Sequence, residues 1–290
     1  MAAVAAEFEY RRPGTVAALI ADMAEPGACA LAGGTDLVPL RAAGALAPSV
    51  LVDVKHIAEL RGVHANNDGI RIGAATTLAD LGARVDPALD AVLDGARVVG
   101  GAQTRERATL GGNLCRSSPA GDTLCGLLVL DAVAELHSAR GTREVAVRDF
   151  FTGPGRNVMT PDEILVSVLF PAGRGGSAYR RFTYRRWMDL AVVGVAARLA
   201  FSEDTCVDAA VAIGAVAPTP LLVPDAASAL VGTACDDAAI ARALEPVLAT
   251  AAPIDDVRGT RAHRLRVLRS LTSDVLRLAR ARARSRPPAH

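Results

Sequence analysis

A chain of 290 residues, 51% hydrophobic and 22% charged, holds enough apolar material for one large or two modest cores. Its formal charge of +1 gives no electrostatic reason to expect a nucleic acid or a membrane surface as the main partner. Lys55 is the single lysine among 32 basic residues, so a fixed cation elsewhere must be arginine, which does not release its proton.

Phe8 to Tyr10 reads as a short strand that breaks at Pro13, and Thr15 caps a helix whose Val16, Leu19, Ile20 and Met23 share one face. Pro26-Gly27 ends it. Ala28 to Leu31 is a short apolar run, followed by Gly33-Gly34, the capping pair Thr35-Asp36 and a helix start. A strand that turns through paired glycines into a helix points several backbone N–H groups at one spot, which suits a phosphate. The same pattern is also the ordinary form of a tight connection. Val50 to Val54 reads as a buried strand and Ile57 to Leu60 as a single helical turn. Leu60 to His64 and Gly69 to Gly73 form a hairpin around Asn66-Asn67-Asp68-Gly69.

Thr76-Thr77 starts another helix, and Pro87 to Val99 carries a further one with Leu89, Val92, Leu93 and Ala96 in register, stopped by Gly100-Gly101. From Arg105 to Thr123 the pattern gives two glycine-bearing turns, a polar linker and a cap. They lead into an apolar helix predicted over Leu124–Ala134 with Asp122 at its N-cap. Ile164 to Phe170 is a strand, and Pro171 to Gly176 is the most linker-like segment, hence the expected domain boundary. Beyond it, Ala178 to Arg186 alternates aromatic and cationic residues, which places Arg180, Arg181, Arg185 and Arg186 on one strand. Two apolar strands follow (Ala191–Phe201 and Val207–Ala217), then helical periodicity over Asp225–Leu230, Ala238–Ala249 and Arg264–Arg280, an α+β order. From Arg280 the arginine-rich end reads as a solvated, frayed tail.

Several chemistries lack their signatures. No GxGxxG follows a strand, and there is no GxxxxGK[ST] loop and no GxSxG elbow. The five histidines are isolated, and the five cysteines (Cys29, Cys115, Cys125, Cys206 and Cys235) write neither a disulfide framework nor a CxxC metal site. Glu7 and Glu9 precede any apolar run, so no secretory leader is expected. The longest apolar stretch, Leu124 to Leu136, carries Asp131 and Glu135 and is too short to span a bilayer. The expected location is cytoplasmic.

Landmarks in order along the chain resemble one family. They are the Phe8-Glu9-Tyr10 opening with Pro13, Ala32-Gly33-Gly34-Thr35-Asp36-Leu37, Ile70-Arg71-Ile72-Gly73-Ala74, and Thr109-Leu110-Gly111-Gly112-Asn113 with Ser118 to Asp122. Arg185-Arg186 with Asp189, Ala215 to Pro220 and Pro253 to Gly259 complete them. In these the chain resembles the flavin-binding subunits of molybdenum hydroxylases, that is, the medium subunits of carbon monoxide dehydrogenases and the FAD domain of xanthine dehydrogenases. The resemblance implies a two-subdomain FAD-binding domain of PCMH type over residues 1–173, divided near residue 58. A smaller α+β C-terminal domain of antiparallel strands and helices would cover 177–283, with a flexible tail at 284–290.

The resemblance also implies FAD as cofactor. Ala32, Gly33, Gly34, Thr35, Asp36 and Leu37 would line one side of its pyrophosphate, and Thr109, Gly112, Asn113 and Asp122 the other side and the ribityl region. A side chain at Gly33 or Gly112 would block the backbone approach. For Asp122 the plain helix cap remains the other reading. Where the family often carries a lysine near the flavin ring, this chain offers Arg180 or Arg181, with Tyr184 or Tyr179 placed to cover the ring. Arg181 and Tyr184 are taken as the site members, and a solvated arginine face is the alternative. Leu221-Leu222 departs from the charged residue that relatives commonly carry there.

By resemblance, substrate would be hydroxylated at a molybdenum site on a large partner, and electrons would pass through 2Fe–2S clusters on a small partner. The flavin on this chain would hand them to an external acceptor. No catalytic side chain and no metal ligand is expected on this chain. A self-contained flavin oxidase or dehydrogenase with its own small-molecule substrate stays open at this point. So does a binding module that has lost its flavin, against which the intact glycine pairs argue.

Overall fold

The computed structural model describes residues 7–172 and 175–285. Three short strands, β1 (Glu9–Arg11), β2 (Ala28–Leu31) and β3 (Val50–Asp53), form a parallel sheet in the order β1-β3-β2. Parallel neighbours need crossovers, and here they are helical. The first is α1 (Val16–Met23), whose start is fixed by the Thr15 hydroxyl accepting the Ala18 amide at 3.2 Å; the second is α2 (Leu37–Ala42). Leu19, Val52 and Ile57 fill the core of this unit.

The expected hairpin is present as β4 (Val63–Asn66) and β5 (Gly69–Gly73), with the Asn66 side-chain oxygen accepting the amides of Asp68 and Gly69 at 3.0 Å. Four helices precede the next strands: α3 (Leu78–Gly82), α4 (Asp90–Val98), α5 (Ala102–Arg105) and α6 (Leu110–Arg116). A fifth, α7 (Leu124–Val129), is followed by β6 (Val133–Ser138) and β7 (Gly141–Ala146). After a short ribbon of β8 (Phe151–Gly153) and β9 (Arg156–Asn157), the strand β10 (Ile164–Pro171) closes an antiparallel sheet in the order β4-β5-β10-β6-β7.

Strand β10 holds the first two units together. A bulge between Leu165 and Ser167 exchanges the faces of the strand, because the side-chain period is two. Ile164 and Val166 therefore join the core around the parallel sheet, while Val168 and Phe170 join the core under α4 and α7.

The remaining chain forms β11 (Gly176–Phe182), β12 (Val193–Ser202), β13 (Thr205–Gly214) and β14 (Leu221–Leu222), an antiparallel sheet in sequence order, with α8 (Pro224–Ser228), α9 (Asp237–Thr250) and α10 (Arg261–Arg284). Its other face packs on α7, so Tyr179, Ala196 and Ala212 belong to the same core as Leu127 and Leu128. Polar contacts seal the seam: the Ala91 amide donates to the Ser177 hydroxyl at 3.1 Å, and the Tyr179 amide donates to Asp94 at 3.1 Å.

Four expectations are corrected. The apolar run after Thr123 is not one helix to Ala134; α7 stops at Val129, and Asp131 at φ +52° turns the chain into β6. An unbroken apolar run suits helix and buried strand equally, so pattern alone could not divide it. The second glycine turn is the first turn of α6. The aromatic-cationic strand ends at Phe182, which leaves Arg185 and Arg186 in a turn. Finally, α10 is helical through Arg284, and Arg282 is docked on Asp94 at 2.6 Å and on the Ser177 carbonyl at 2.8 Å rather than frayed. Gly173 and Arg174 of the expected linker, and tail residues 286–290, lie outside the described residues.

Candidate cofactor site

Leaving β2 at the C-terminal edge of the parallel sheet, the chain turns through Ala32 to Thr35 into α2, with Gly34 in the left-handed region at φ +74°. The amides of Gly33, Gly34, Thr35, Asp36 and Leu37 meet no hydrogen-bond acceptor among the described residues. Asp36 stands at the N-cap of α2 with helical φ and makes no side-chain cap bond, so the expected capping is not observed. Its carboxylate lies 3.4 Å from Arg116 Nε at the end of α6.

The lone lysine stands behind this loop. Lys55 Nζ is 2.7 Å from the buried Asp53 carboxylate and donates to the Leu31 carbonyl at 3.5 Å, tying the ends of β2 and β3 together. Burial works against the Asp53 carboxylate, but hydrogen bonds from Lys55 and Tyr10 outweigh it and hold its pKa below the ordinary value.

Thr109 caps α6, its hydroxyl accepting the Gly112 amide at 3.0 Å. The Leu110 amide donates to Thr76, that of Gly111 to Ala74 and that of Asn113 to Thr109. Every amide of the first turn of α6 is therefore occupied within the chain, and this segment does not offer a row of free N–H groups. Its glycines serve close packing: a Cβ on Gly111 would lie 2.7 Å from the Ala74 carbonyl oxygen, whereas one on Gly112 would meet only the Thr109 hydroxyl, at 2.9 Å. The Asn113 side-chain oxygen accepts the Thr123 hydroxyl at 2.6 Å, and its NH2 group has no acceptor among the described residues.

The backbones of the two segments come close at Gly33. A Cβ on Gly33 would sit 1.9 Å from the Arg107 carbonyl oxygen, so the β2–α2 loop and the residues before Thr109 can meet only because position 33 is bare.

Asp122 is not the cap of α7. Thr123 holds that place without a cap bond, and Asp122 is buried, accepting the Tyr179 hydroxyl at 2.7 Å and Arg181 Nη1 at 2.6 Å. Burial pushes its carboxyl up to about 6 against the pull of Arg181 and the Tyr179 hydrogen bond. Burial, joined by the Asp122 charge, raises the Tyr179 phenol well above its ordinary value. Arg181, with a side chain 5% exposed, is thus no member of a solvated arginine face. Arg116 links Asp36 to α6, and Thr123 links Asn113 to the Asp122 knot.

Tyr184 stands apart from that network. Its exposed ring stacks on His263 of α10, centroids 6.2 Å apart, and its hydroxyl donates to the Arg258 carbonyl at 2.7 Å. Sequence reasoning missed two neighbours. Arg116 lies just beyond the glycine motif and reaches Asp36. Trp187, the only tryptophan, is half-exposed with the guanidiniums of Arg105 and Arg186 each 5.5 Å from its ring, while the Met188 amide donates to Gly100. Its uniqueness in an arginine-rich stretch was the available signal.

A run of free amides on a βα turn carries a positive pole that accepts an anion, and a dinucleotide pyrophosphate matches it in charge and acceptor count. The residues present fit FAD in that respect. Residues 6–173 match the family model described as the FAD binding domain in molybdopterin dehydrogenase, and residues 177–279 match the CO dehydrogenase flavoprotein C-terminal domain. Fold and site therefore define a two-domain FAD-binding oxidoreductase chain.

The chain is 34% identical over 281 residues to the xanthine dehydrogenase FAD-binding subunit of Escherichia coli O157:H7, covering 94% of this chain and 96% of that one. It is 31% identical over 283 residues to the carbon monoxide dehydrogenase medium chain of Afipia carboxidovorans (96% and 98% covered). In three dimensions it is similar to a chain of reconstituted CO dehydrogenase from Oligotropha carboxidovorans, with a TM-score of 0.90, 31% identity and coverage of 97% and 100%. It belongs to the family of FAD-binding subunits of xanthine dehydrogenases and carbon monoxide dehydrogenases. No helix among the described residues is long and apolar enough to cross a membrane.

Proposed function

We propose that this chain is the FAD-carrying electron-transfer subunit of a molybdenum hydroxylase complex, working beside a small 2Fe–2S subunit and a large molybdenum-cofactor subunit in the cytoplasm. When bound, FAD supplies an acceptor of two electrons that can pass them on singly or in pairs. The observation that carries the proposal is the row of unpaired amides from Gly33 to Leu37, on a chain whose family is defined by FAD binding.

Each residue then has a task. The amides of 33–37, flanked by Ala32, hold the pyrophosphate, and Lys55 fixes the root of their loop through Leu31. Thr109 and Gly112 set the direction of α6, from which Asn113 offers its free NH2 to a ribityl or phosphate oxygen. Asp122 is held in place by Tyr179 and Arg181, so that knot orients the wall rather than supplying an open cation. Tyr184 holds the 183–190 turn on α10, and Trp187 on that turn faces solvent beside the flavin-bearing half. None of these groups acts as nucleophile or general acid; the protein binds, orients and excludes water. The domains proposed for these tasks are 1–173 for FAD and 177–283 for the C-terminal part.

The test is purification of the chain with added FAD and, from the native host, with its associated subunits. One flavin per chain, together with iron, molybdenum and two further polypeptides, is expected. A chain that retains flavin but turns over a small molecule without partners would contradict the complex, and a chain that takes up no flavin would contradict the site.

A further inference from the structure

Arg116, the last residue of α6, carries its charge on a fixed backbone but without a firm partner. Its Nε lies 3.4 Å from the Asp36 carboxylate, with side chains 39% and 60% exposed, and the guanidinium makes no hydrogen bond among the described residues. An exposed ion pair of that kind holds neither side chain tightly. The backbone on either side is anchored to the β8–β9 ribbon. The Ser117 carbonyl accepts the Gly155 amide at 3.0 Å, and the Cys115 carbonyl accepts the Asn157 side-chain amide at 2.9 Å. The ribbon also leaves room for the charge, since a Cβ on Gly155 would lie 2.9 Å from Arg116 Nη1.

The guanidinium meets the β2–α2 loop. Asp36 belongs to the run 33–37, whose amides have no acceptor among the described residues. Asn113 precedes Arg116 by three positions, so both lie on one face of α6, and its NH2 group is also without an acceptor there. Uncharged amides alone do not balance the two charges of a pyrophosphate, and the Asp36 carboxylate beside them would repel it. Lys55, at the root of the loop, is taken up by Asp53 and the Leu31 carbonyl.

Resting on the reading of this loop as the FAD site, we propose that Arg116 is a pyrophosphate-binding residue that exchanges Asp36 for the phosphate oxygens when the cofactor enters. A guanidinium presents paired donors that match phosphate oxygens and keeps its charge at every working pH. It thereby supplies the charge that the amides lack, and it makes FAD affinity dependent on salt.

The test is titration of the flavin-free chain with FAD, followed by flavin fluorescence at low and at high sodium chloride. Arg116→Gln should weaken FAD about tenfold at low salt and lose most of the salt dependence, and Arg116→Lys should restore part of both. Asp36→Asn should tighten binding severalfold. Thermal midpoints of the flavin-free Arg116 variants should match the parent, because Arg116 makes no hydrogen bond among the described residues. Arg116→Gln combined with Asp36→Asn separates binding from mere neutralisation: about a tenfold loss relative to Asp36→Asn alone is expected, because the missing partner is the phosphate. No loss in that background, or equal affinity of Arg116→Gln and the parent, would overturn the proposal while leaving the FAD site in place. A parent chain that takes up no FAD would overturn the site itself and this proposal with it.

Discussion

Replacing Gly33 with alanine probes the point where the two halves of the clamp meet. The added methyl would lie 1.9 Å from the Arg107 carbonyl oxygen, 2.5 Å from its carbon and 2.9 Å from the Ala108 nitrogen, all backbone atoms that no rotamer change can move. Reaching ordinary contact requires the β2–α2 loop and the 105–109 segment to part by about 1.5 Å. Overpacking of this kind costs on the order of 1–3 kcal/mol of folding free energy. The same displacement carries the free amides away from Asn113, so FAD affinity should fall at least about tenfold, the equivalent of 1.4 kcal/mol. Gly34→Ala is the matched control. Its strain at φ +74° is about 1–2 kcal/mol, but the nearest atoms are the flexible tips of Leu31 and Val38, so the two segments stay together. FAD titration followed by flavin fluorescence, alongside thermal melts, checks both variants. If Gly33→Ala bound FAD within twofold of the parent, or no worse than Gly34→Ala, the clamp geometry would be wrong.

Asp122 gives a pH signature. Its carboxyl is held near 6 in the fold against about 3.9 in an unfolded chain, so between those values the folded state binds the extra proton. Its contribution to stability is therefore present at low pH and declines by roughly 1–3 kcal/mol as pH rises through that window. Urea unfolding at pH 4.5 and pH 7 should show this slope as the difference between the parent and Asp122→Asn, and parallel profiles would rule it out. Arg282→Gln should lower the melting temperature and speed amide exchange at the end of α10, because Asp94 keeps its place at the domain seam without its main partner; a loss of about 1–3 kcal/mol is expected and an unchanged melt would contradict the docking. Trp187 is the sole tryptophan, so its emission should be quenched in step with FAD uptake and should recover in Gly33→Ala. Emission indifferent to FAD would place the flavin away from the 183–190 turn.

Local chemistry was legible wherever a few neighbouring residues decide the outcome. Thr15 and Thr77 cap helices where their sequence contexts suggest a start, and Asn66 with Gly69 writes the hairpin. The glycine motif at 33–34 reads as a βα turn with free amides, and so it is. What the pattern could not reach is non-local. Asp122 looks like a cap beside Leu124 because its true partner, Arg181, lies 59 residues away. Arg282 looks like solvated tail because Asp94 lies 188 residues away. The glycines at 111–112 resembled a second amide cradle, but whether an amide is free depends on what stands opposite it, here Thr76 and Ala74. The closest backbone approach falls at Gly33 against Arg107, between segments that sequence spacing cannot bring together. Arg116 was invisible for the same reason, since only the fold sets it beside Asp36.

The most direct measurement is a crystal structure of the chain with FAD bound. The account predicts the pyrophosphate oxygens at hydrogen-bonding distance, about 2.7–3.1 Å, from the amides between Gly33 and Leu37, with Asn113 facing them. A pyrophosphate seated elsewhere, with those amides still unpaired, would contradict it.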